Sequence, residues 1–172
     1  MTIEIERKFL LNDDTWRTQV QRSEAMTQGY LTPAQASHGE RASVRVRISD
    51  QQAWLNIKSR DAGPMRQEFE YPVPVGDGRA LLALCVGGRV EKRRHVVNHG
   101  GHVFEIDEFL GDNTGLLVAE VEFESVDMSM ERPPWLGREV TDLPRYYNLA
   151  LAAHPYSRWS DAERAAGDAK ED

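Results

Sequence analysis

Glu4-Ile5-Glu6-Arg7-Lys8-Phe9, close to the amino terminus, governs how the rest of the chain is read. At strand period it puts Glu4, Glu6 and Lys8 on one face, with Ile3, Ile5 and Phe9 on or near the other. Side chains two apart on a strand face lie about 7 Å from one another. Two carboxylates and an ammonium at that spacing suit a divalent ion beside an anionic ligand. A packed apolar core does not suit them, because burying charge without partners is costly. The plainer alternative is an edge strand whose charged face is wet. One strand cannot choose between them.

The pattern recurs along the chain. Ser43, Arg45 and Arg47 alternate with Val44, Val46 and Ile48 over 41–49, and Asn56 and Lys58 oppose Ala53, Leu55 and Ile57 over 52–59. Arg66, Glu68 and Glu70 oppose Phe69 and Tyr71 over 65–73, and Glu120, Glu122 and Glu124 oppose Ala119, Val121 and Phe123 over 116–125. With 2–10, 26–32, 89–97 and 102–109 these segments predict eight strands joined mainly by short turns. Helices are expected through Trp16 and Val20, through Leu81, Leu82 and Leu84 up to Gly87-Gly88, and over 145–154. From Tyr156 the chain turns polar and reads as a frayed tail, giving a domain over 1–155 and a tail over 156–172.

Eight antiparallel strands can lie flat with one wet face or close into a barrel with room inside for side chains or a small ligand. The second reading gives a mainly β, α+β fold: an eight-stranded antiparallel closed barrel, or tunnel, with a polar interior, helices packed outside and a carboxyl-terminal helix. Its candidate interior acids are Glu4, Glu6, Glu68, Glu70, Glu105, Asp107, Glu120, Glu122 and Glu124. The bases are Lys8, Arg45, Arg47, Lys58 and a pair from Val90-Glu91-Lys92-Arg93-Arg94-His95, where charge on both faces hides which side is inside. Carboxylates favour Mg²⁺ or Mn²⁺ over zinc, and Arg forks and Lys ammonium groups suit phosphate oxygens. Acids and bases around one cavity therefore point to a metal-bridged polyphosphate. A web of structural salt bridges is the alternative.

Bulk composition narrows the class. In 172 residues, 40% hydrophobic and 28% charged, a single domain has length enough for a core. A net charge of −7 argues against a general nucleic-acid or membrane-surface binder. No apolar run approaches a membrane span and no signal-peptide pattern opens the chain, so a cytoplasmic location is expected. Cys85, the one cysteine, excludes an intramolecular disulfide and reads as a core residue. His95, His99 and His102 straddle a hairpin turn without a coherent ligand face, which argues against zinc. The four tryptophans, Trp16, Trp54, Trp135 and Trp159, read as packing residues.

The ordered motifs resemble the CYTH superfamily, the triphosphate tunnel metalloenzymes. Besides the opening E-x-E-x-K, the resemblance takes in Gln28-Gly29-Tyr30-Leu31, Val44-Arg45-Val46-Arg47, Asn56-Ile57-Lys58-Ser59 and Arg66-Gln67-Glu68-Phe69-Glu70. It continues through Val90-Glu91-Lys92-Arg93-Arg94, Glu105-Ile106-Asp107 and Ala119-Glu120-Val121-Glu122-Phe123. Pro133-Pro134-Trp135-Leu136-Gly137, Glu139-Val140-Thr141 and Arg145-Tyr146-Tyr147-Asn148 complete it, so it spans the chain to about residue 153.

The resemblance implies an eight-stranded tunnel with Lys92 and Arg94 facing inward. It implies metal-dependent hydrolysis of inorganic tripolyphosphate to pyrophosphate and phosphate, with Mg²⁺ or Mn²⁺ as cofactor. Lys8, Arg45, Arg47, Lys58, Lys92 and Arg94 would bind the phosphates, and Glu4, Glu6, Glu120 and Glu122 the metal, with Asp107 supporting. Glu4, Glu6, Lys8, Glu122 and Tyr30 would carry the chemistry, while Glu68 and Glu70 orient the bases or a water. Tyr30 would hydrogen-bond near Lys8, a packed tyrosine being the alternative. Tyr147 departs from the pattern, a lysine being commoner there in relatives. Two rivals stay open: a nucleotide-directed activity (a class IV adenylyl cyclase, or a nucleoside or thiamine triphosphatase) and a non-catalytic polyphosphate binder. The partner implied is a small triphosphate, with neither nucleic acid nor membrane, on a monomer or homodimer.

Overall fold

The computed structural model describes residues 2–35, 39, 41–60, 65–125 and 128–168, excepting the side chains of 2–4, 65 and 166–168. Turn residues expected at His38 and over 61–64 lie outside them. Nine strands form one mainly antiparallel sheet: β1 (Thr2–Leu11), β2 (Val20–Tyr30), β3 (Ala42–Ser49), β4 (Gln52–Ser59), β5 (Met65–Val73), β6 (Val86–His99), β7 (His102–Phe109), β8 (Leu117–Glu122) and β9 (Leu136–Glu139). Their order is β5-β4-β3-β2-β6-β7-β8-β1-β9, and β5 pairs with β1 as well. That last pairing, over Thr2–Ile5 against Met65–Glu68, brings the first strand in the order back beside β1.

The expected count of eight is thus short by β9, which adds to β1 beside Phe9 and Leu11. Four residues after two prolines give no readable alternation. What makes the strand is its seat on β1, where Gly137 is needed: a Cβ there would lie 2.8 Å from the Leu10 carbonyl oxygen. The helix expected through Trp16 and Val20 is a 3-10 turn, Thr15–Gln19, and Val20 already opens β2. Asp13 accepts the Thr15 backbone N–H at 2.8 Å, a local bond that competes with helix extension. Gly87 and Gly88 do not follow a helix end; they lie inside β6, after α1 (Val75–Ala83). Gly87 has φ +74°, and a Cβ on Gly88 would stand 2.7 Å from the Ala152 carbonyl oxygen. The expected 145–154 helix is a 3-10 turn, Pro144–Tyr146, followed by α2 (Asn148–Ala153).

Two apolar clusters hold the sheet in place. One joins Ile5 and Phe9 of β1 to Phe104, Ile106, Ala119 and Val121, sealed by Trp16 and Trp135, both almost wholly buried. The three histidines border this side: His99 meets Trp135 edge-on, His102 tilts against Phe123, and His95 packs beside Trp16 while bonding Ser23 and Glu108. The second cluster has a different placement. Val90, Phe109 and Val118 share strand faces with Lys92, Asp107 and Glu120, yet they pack with Tyr146, Leu151 and Trp159. The charged face therefore turns apolar at one end, where α2 and the segment after it pack.

That segment corrects the expected frayed tail. Trp159 is 5% exposed, stacks edge-on against Tyr146 and Tyr156, and donates from Nε1 to the His154 carbonyl. Asp161–Asp168 then forms α3, with Ser160 and Glu163 bonding each other at its start. Trp159, expected as a packing residue, anchors this otherwise polar segment, and burying such a side chain is worth about 2–3 kcal/mol.

Candidate active site

The charged face encloses a cavity of ≈ 850 Å³. Glu6, Lys8, Tyr30, Arg45, Arg47, Lys58, Glu68, Glu70, Lys92, Arg94, Glu120 and Glu122 all line it. They come from seven strands, which also resolves the ambiguous sixth strand: Lys92 and Arg94 face the cavity. Asp107 does not line it but lies fully buried behind Lys92 and Arg94. The Glu4 side chain is outside the described residues. Its backbone stands opposite Arg66, one strand position pair beyond Glu6.

The wall formed by β1, β8, β7 and β6 is densely paired. Lys8, 3% exposed, donates from Nζ to Glu120 Oε1 at 2.5 Å and also meets Glu6. Register explains this, since Lys8 stands opposite Glu120, and Glu6 opposite Glu122. Burial works against the Lys8 charge, but the Glu120 and Glu6 carboxylates outweigh it and raise its pKa. Arg94 forks onto Asp107, with Nε to Oδ1 at 2.7 Å and Nη2 to Oδ2 at 2.8 Å. It also reaches Glu120 Oε2 at 2.6 Å and meets Glu105. Glu120 thus has one oxygen on Lys8 and the other on Arg94. Despite its burial, Lys8 and Arg94 hold its pKa well below the usual carboxylate range.

Lys92 is the exception on this wall. It contacts Asp107 and, at 3.5 Å, Asn148 Oδ1 from α2. Burial and the neighbouring Arg94 charge push its pKa down to about 8, against the pull of Asp107 and Glu120. Burial likewise raises the Glu105 pKa, with the Arg94 charge opposing.

The wall formed by β3, β4 and β5 is looser. Arg45 lies 3.9 Å from Glu68, Lys58 lies 3.6 Å from the same oxygen, and Arg47 bonds Glu70 at 3.0 Å. Asn56, fully buried, donates to Glu68 at 3.1 Å and to Glu70, while its Oδ1 is without a partner among the described residues. Buried Nε atoms of Arg45 and Arg47 are also without partners among the described residues. Tyr30 sits between the walls: its hydroxyl accepts from Gln28 at 3.3 Å and lies near Arg45, Lys58 and Lys8. Burial raises its pKa, so the phenol keeps its proton.

The strand pattern did not single out Gln28, Arg60, Asn148 or His154, all of which line the cavity. Gln28 is fully buried on a strand whose alternation is weak, and Arg60 follows the last residue of β4. Asn148 opens α2 and His154 follows its last residue, and no local pattern announces how that helix docks. Tyr147 is there too, its ring centroid 5.1 Å from Lys8 Nζ.

Chemically, the cavity offers guanidinium and ammonium donors for anionic oxygens and carboxylates that can bind a hard cation or accept a proton. Among the described residues no group of three His, Cys, Asp or Glu side chains is gathered to hold a metal ion. The reason is visible in the pairing: both oxygens of Glu120 and of Asp107 already face cations.

Residues 2–150 match the CYTH domain family. An inorganic triphosphatase of Acetivibrio thermocellus is 36% identical over 159 residues, which is 92% of this chain and 98% of that protein. An inorganic triphosphatase of Nitrosomonas europaea is 38% identical over 152 residues, covering 87% and 96%. The crystal structure of an inorganic triphosphatase superposes with a TM-score of 0.63 at 35% identity, covering 88% of this chain and 95% of the other. No helix among the described residues is long and apolar enough to cross a membrane.

Proposed function

The chain belongs to the CYTH domain family, and from that premise we propose that it hydrolyses inorganic triphosphate to pyrophosphate and phosphate inside the charged cavity. The observation that carries the reading is the convergence of six bases (Lys8, Arg45, Arg47, Lys58, Lys92 and Arg94) on one cavity that also holds Glu6 and Glu122. Inorganic triphosphate offers nothing but phosphate to recognise, and the cavity's charged donors answer that chemistry. The pairing of β5 with β1 supports a closed, eight-membered tunnel with β9 as an outside addition.

The loose β3–β5 wall binds the phosphate chain, because its guanidinium groups retain unused donors. The dense wall orients it: Lys8 and Arg94, pinned by buried carboxylates, present fixed positive charge to the bridging and terminal oxygens. Lys92, with a pKa of about 8, holds a proton it can share with the leaving pyrophosphate. Glu6 and Glu122, opposite each other on β1 and β8, orient the attacking water and accept its proton.

The donor set suits Mg²⁺ or Mn²⁺, held by Glu6 and Glu122 with Glu4 next along the same strand face; Glu120 and Asp107 serve instead to fix the bases. A divalent ion there supplies charge neutralisation on the phosphoryl oxygens and acidifies water.

Glu122→Gln tests the assignment. Phosphate release from tripolyphosphate with Mg²⁺ or Mn²⁺ should fall by about 10³-fold or more while the melting curve is kept. A near-normal rate overturns it. Assays of ATP, thiamine triphosphate and pyrophosphate alongside, with cyclic AMP followed in the ATP reaction, test the substrate; cyclic AMP formation would replace this reading with a cyclase.

A further inference from the structure

A second cavity, of ≈ 270 Å³, continues the first along the same inward strand faces. On β6, Lys92 lines the first cavity, Arg94 both and Val96 the second; on β3, Arg45, Arg47 and Ser49 divide in the same way. β2 passes from Tyr30 and Gln28 in the first to Met26, Glu24 and Arg22 in the second. Strands that hand over at one level describe a single channel with a waist. The waist is Arg47, Arg94 and Glu105, the residues common to both cavities. α2 packs at the other end, where Val86 stands opposite Tyr30 and Gly88 backs onto the Ala152 carbonyl. Arg22 lies eight residues from Tyr30, about 25 Å along β2. It and Gln52 are both exposed, so the second cavity opens to solvent there.

Its charges are unevenly spent. Three guanidinium groups, of Arg22, Arg47 and Arg94, line it with two carboxylates. Both carboxylates are engaged, Glu24 with Ser49 and Glu105 with Arg94. Arg22 has no side-chain hydrogen bond or ion pair among the described residues. Arg47 places Cζ 4.9 Å from the Trp54 ring centroid and bonds Glu70 through Nη2 at 3.0 Å, leaving its buried Nε over. A guanidinium beside an aromatic face keeps its in-plane N–H donors available for an anion. Burial and the charges of Arg45 and Arg94 lower the Arg47 pKa, a strain that a bound anion relieves.

We propose that this second cavity is an orthophosphate subsite, in which Arg22 and Arg47 receive the phosphate that hydrolysis releases. The inference rests on the triphosphatase reading above and adds to it where one product goes. Glu105 stands opposite Glu120, which makes Glu122 its diagonal neighbour across the strands, about 7–8 Å away. A phosphoryl group attacked by water on Glu6 and Glu122 is therefore freed beside the waist. The pyrophosphate, protonated from Lys92, lies on the side of Asn148 and α2. The two products thus part toward opposite ends of the channel.

The test is titration of inorganic phosphate into the protein saturated with pyrophosphate, followed by calorimetry and by tryptophan fluorescence. Phosphate should still bind and should change the emission; Trp54→Phe should lose that change and keep the heat. Arg22→Gln should weaken phosphate about tenfold, the value of one charge-assisted contact, and Arg22→Lys should recover most of the loss. Pyrophosphate affinity should stay within about twofold in both. During turnover, the inhibition constant of added phosphate should rise by the same factor in Arg22→Gln.

Phosphate that no longer binds once pyrophosphate saturates the protein overturns the proposal. So does phosphate that binds Arg22→Gln as tightly as wild type. A structural role alone for Arg22 would weaken phosphate and pyrophosphate together, which overturns it as well. If Arg22→Gln fails to fold, Gln52→Trp, which fills the opening, takes its place, and an unchanged phosphate affinity there is equally fatal. If the wild type does not cleave tripolyphosphate, the parent reading has failed separately. The phosphate titrations need no turnover and still decide the subsite.

Discussion

The β1–β8–β7–β6 wall and the β3–β4–β5 wall are built from the same residue types and hold them in opposite ways. On the first, Lys8, Lys92 and Arg94 face Glu6, Glu105, Asp107 and Glu120, with contacts such as 2.5 Å for Lys8–Glu120 and 2.7 Å for Arg94–Asp107. On the second, Arg45, Arg47 and Lys58 face Glu68 and Glu70, with contacts out to 3.9 Å and two buried Nε atoms left over. Carboxylates outnumber bases on the first wall and bases outnumber carboxylates on the second. The lesson is a division of labour. A buried, satisfied network is rigid but has little donor capacity left, whereas an under-satisfied one is the natural seat of an incoming anion.

Breaking the dense wall should cost most. Arg94→Met leaves Asp107, Glu105 and Glu120 without their shared cation, and removing one partner of a buried pair costs about 3–5 kcal/mol. Denaturant unfolding should show that loss, with activity gone; a loss below about 1 kcal/mol would mean the network is not as closely coupled as its geometry implies.

On the loose wall the same kind of change should spare the fold. Arg45→Gln is expected to leave the melting temperature nearly unaltered and raise the KM for tripolyphosphate by about ten- to a hundredfold, the value of a charge-assisted contact. An unfolded Arg45→Gln chain would erase the contrast between the walls.

A smaller effect separates Lys92 from its neighbours. Its folded pKa, about 8, is below the ordinary lysine value, so the unfolded chain binds the extra proton between about pH 8 and 10.5. The Lys92 penalty is therefore fully present below pH 8 and is relieved as pH rises toward 10.5. Phosphate binding follows the opposite course, since the ammonium is lost above pH 8. KM should climb several-fold from pH 7.5 to 9, and Lys92→Arg should flatten that climb. A KM profile unchanged by Lys92→Arg would place the titrating group elsewhere.

Much of this arrangement was legible beforehand, and for a local reason. Alternation put Arg45 with Arg47, Glu68 with Glu70 and Glu120 with Glu122 on single faces, and every one of these lines the cavity. It failed where structure is made by contact at a distance. β9 exists because β1 offers it an edge. Trp159 is an anchor because Tyr146 and Tyr156 stand ready to receive it. Tyr147 registered in the sequence as a departure from the family pattern, but its position between Lys8 and Arg66 depends on how α2 docks.

The sequence alone determined which side chains share the charged face, because the two-residue period is a property of the extended backbone and needs no partner. It determined as well that those charges suit phosphate and a hard divalent ion. Only the tertiary structure decided which carboxylates are already spent. Glu120 meets Lys8 of β1 and Arg94 of β6, and Asp107 of β7 meets Lys92 and Arg94. Those pairings are fixed by the registers of four strands far apart in the chain, which no reading of any one of them contains.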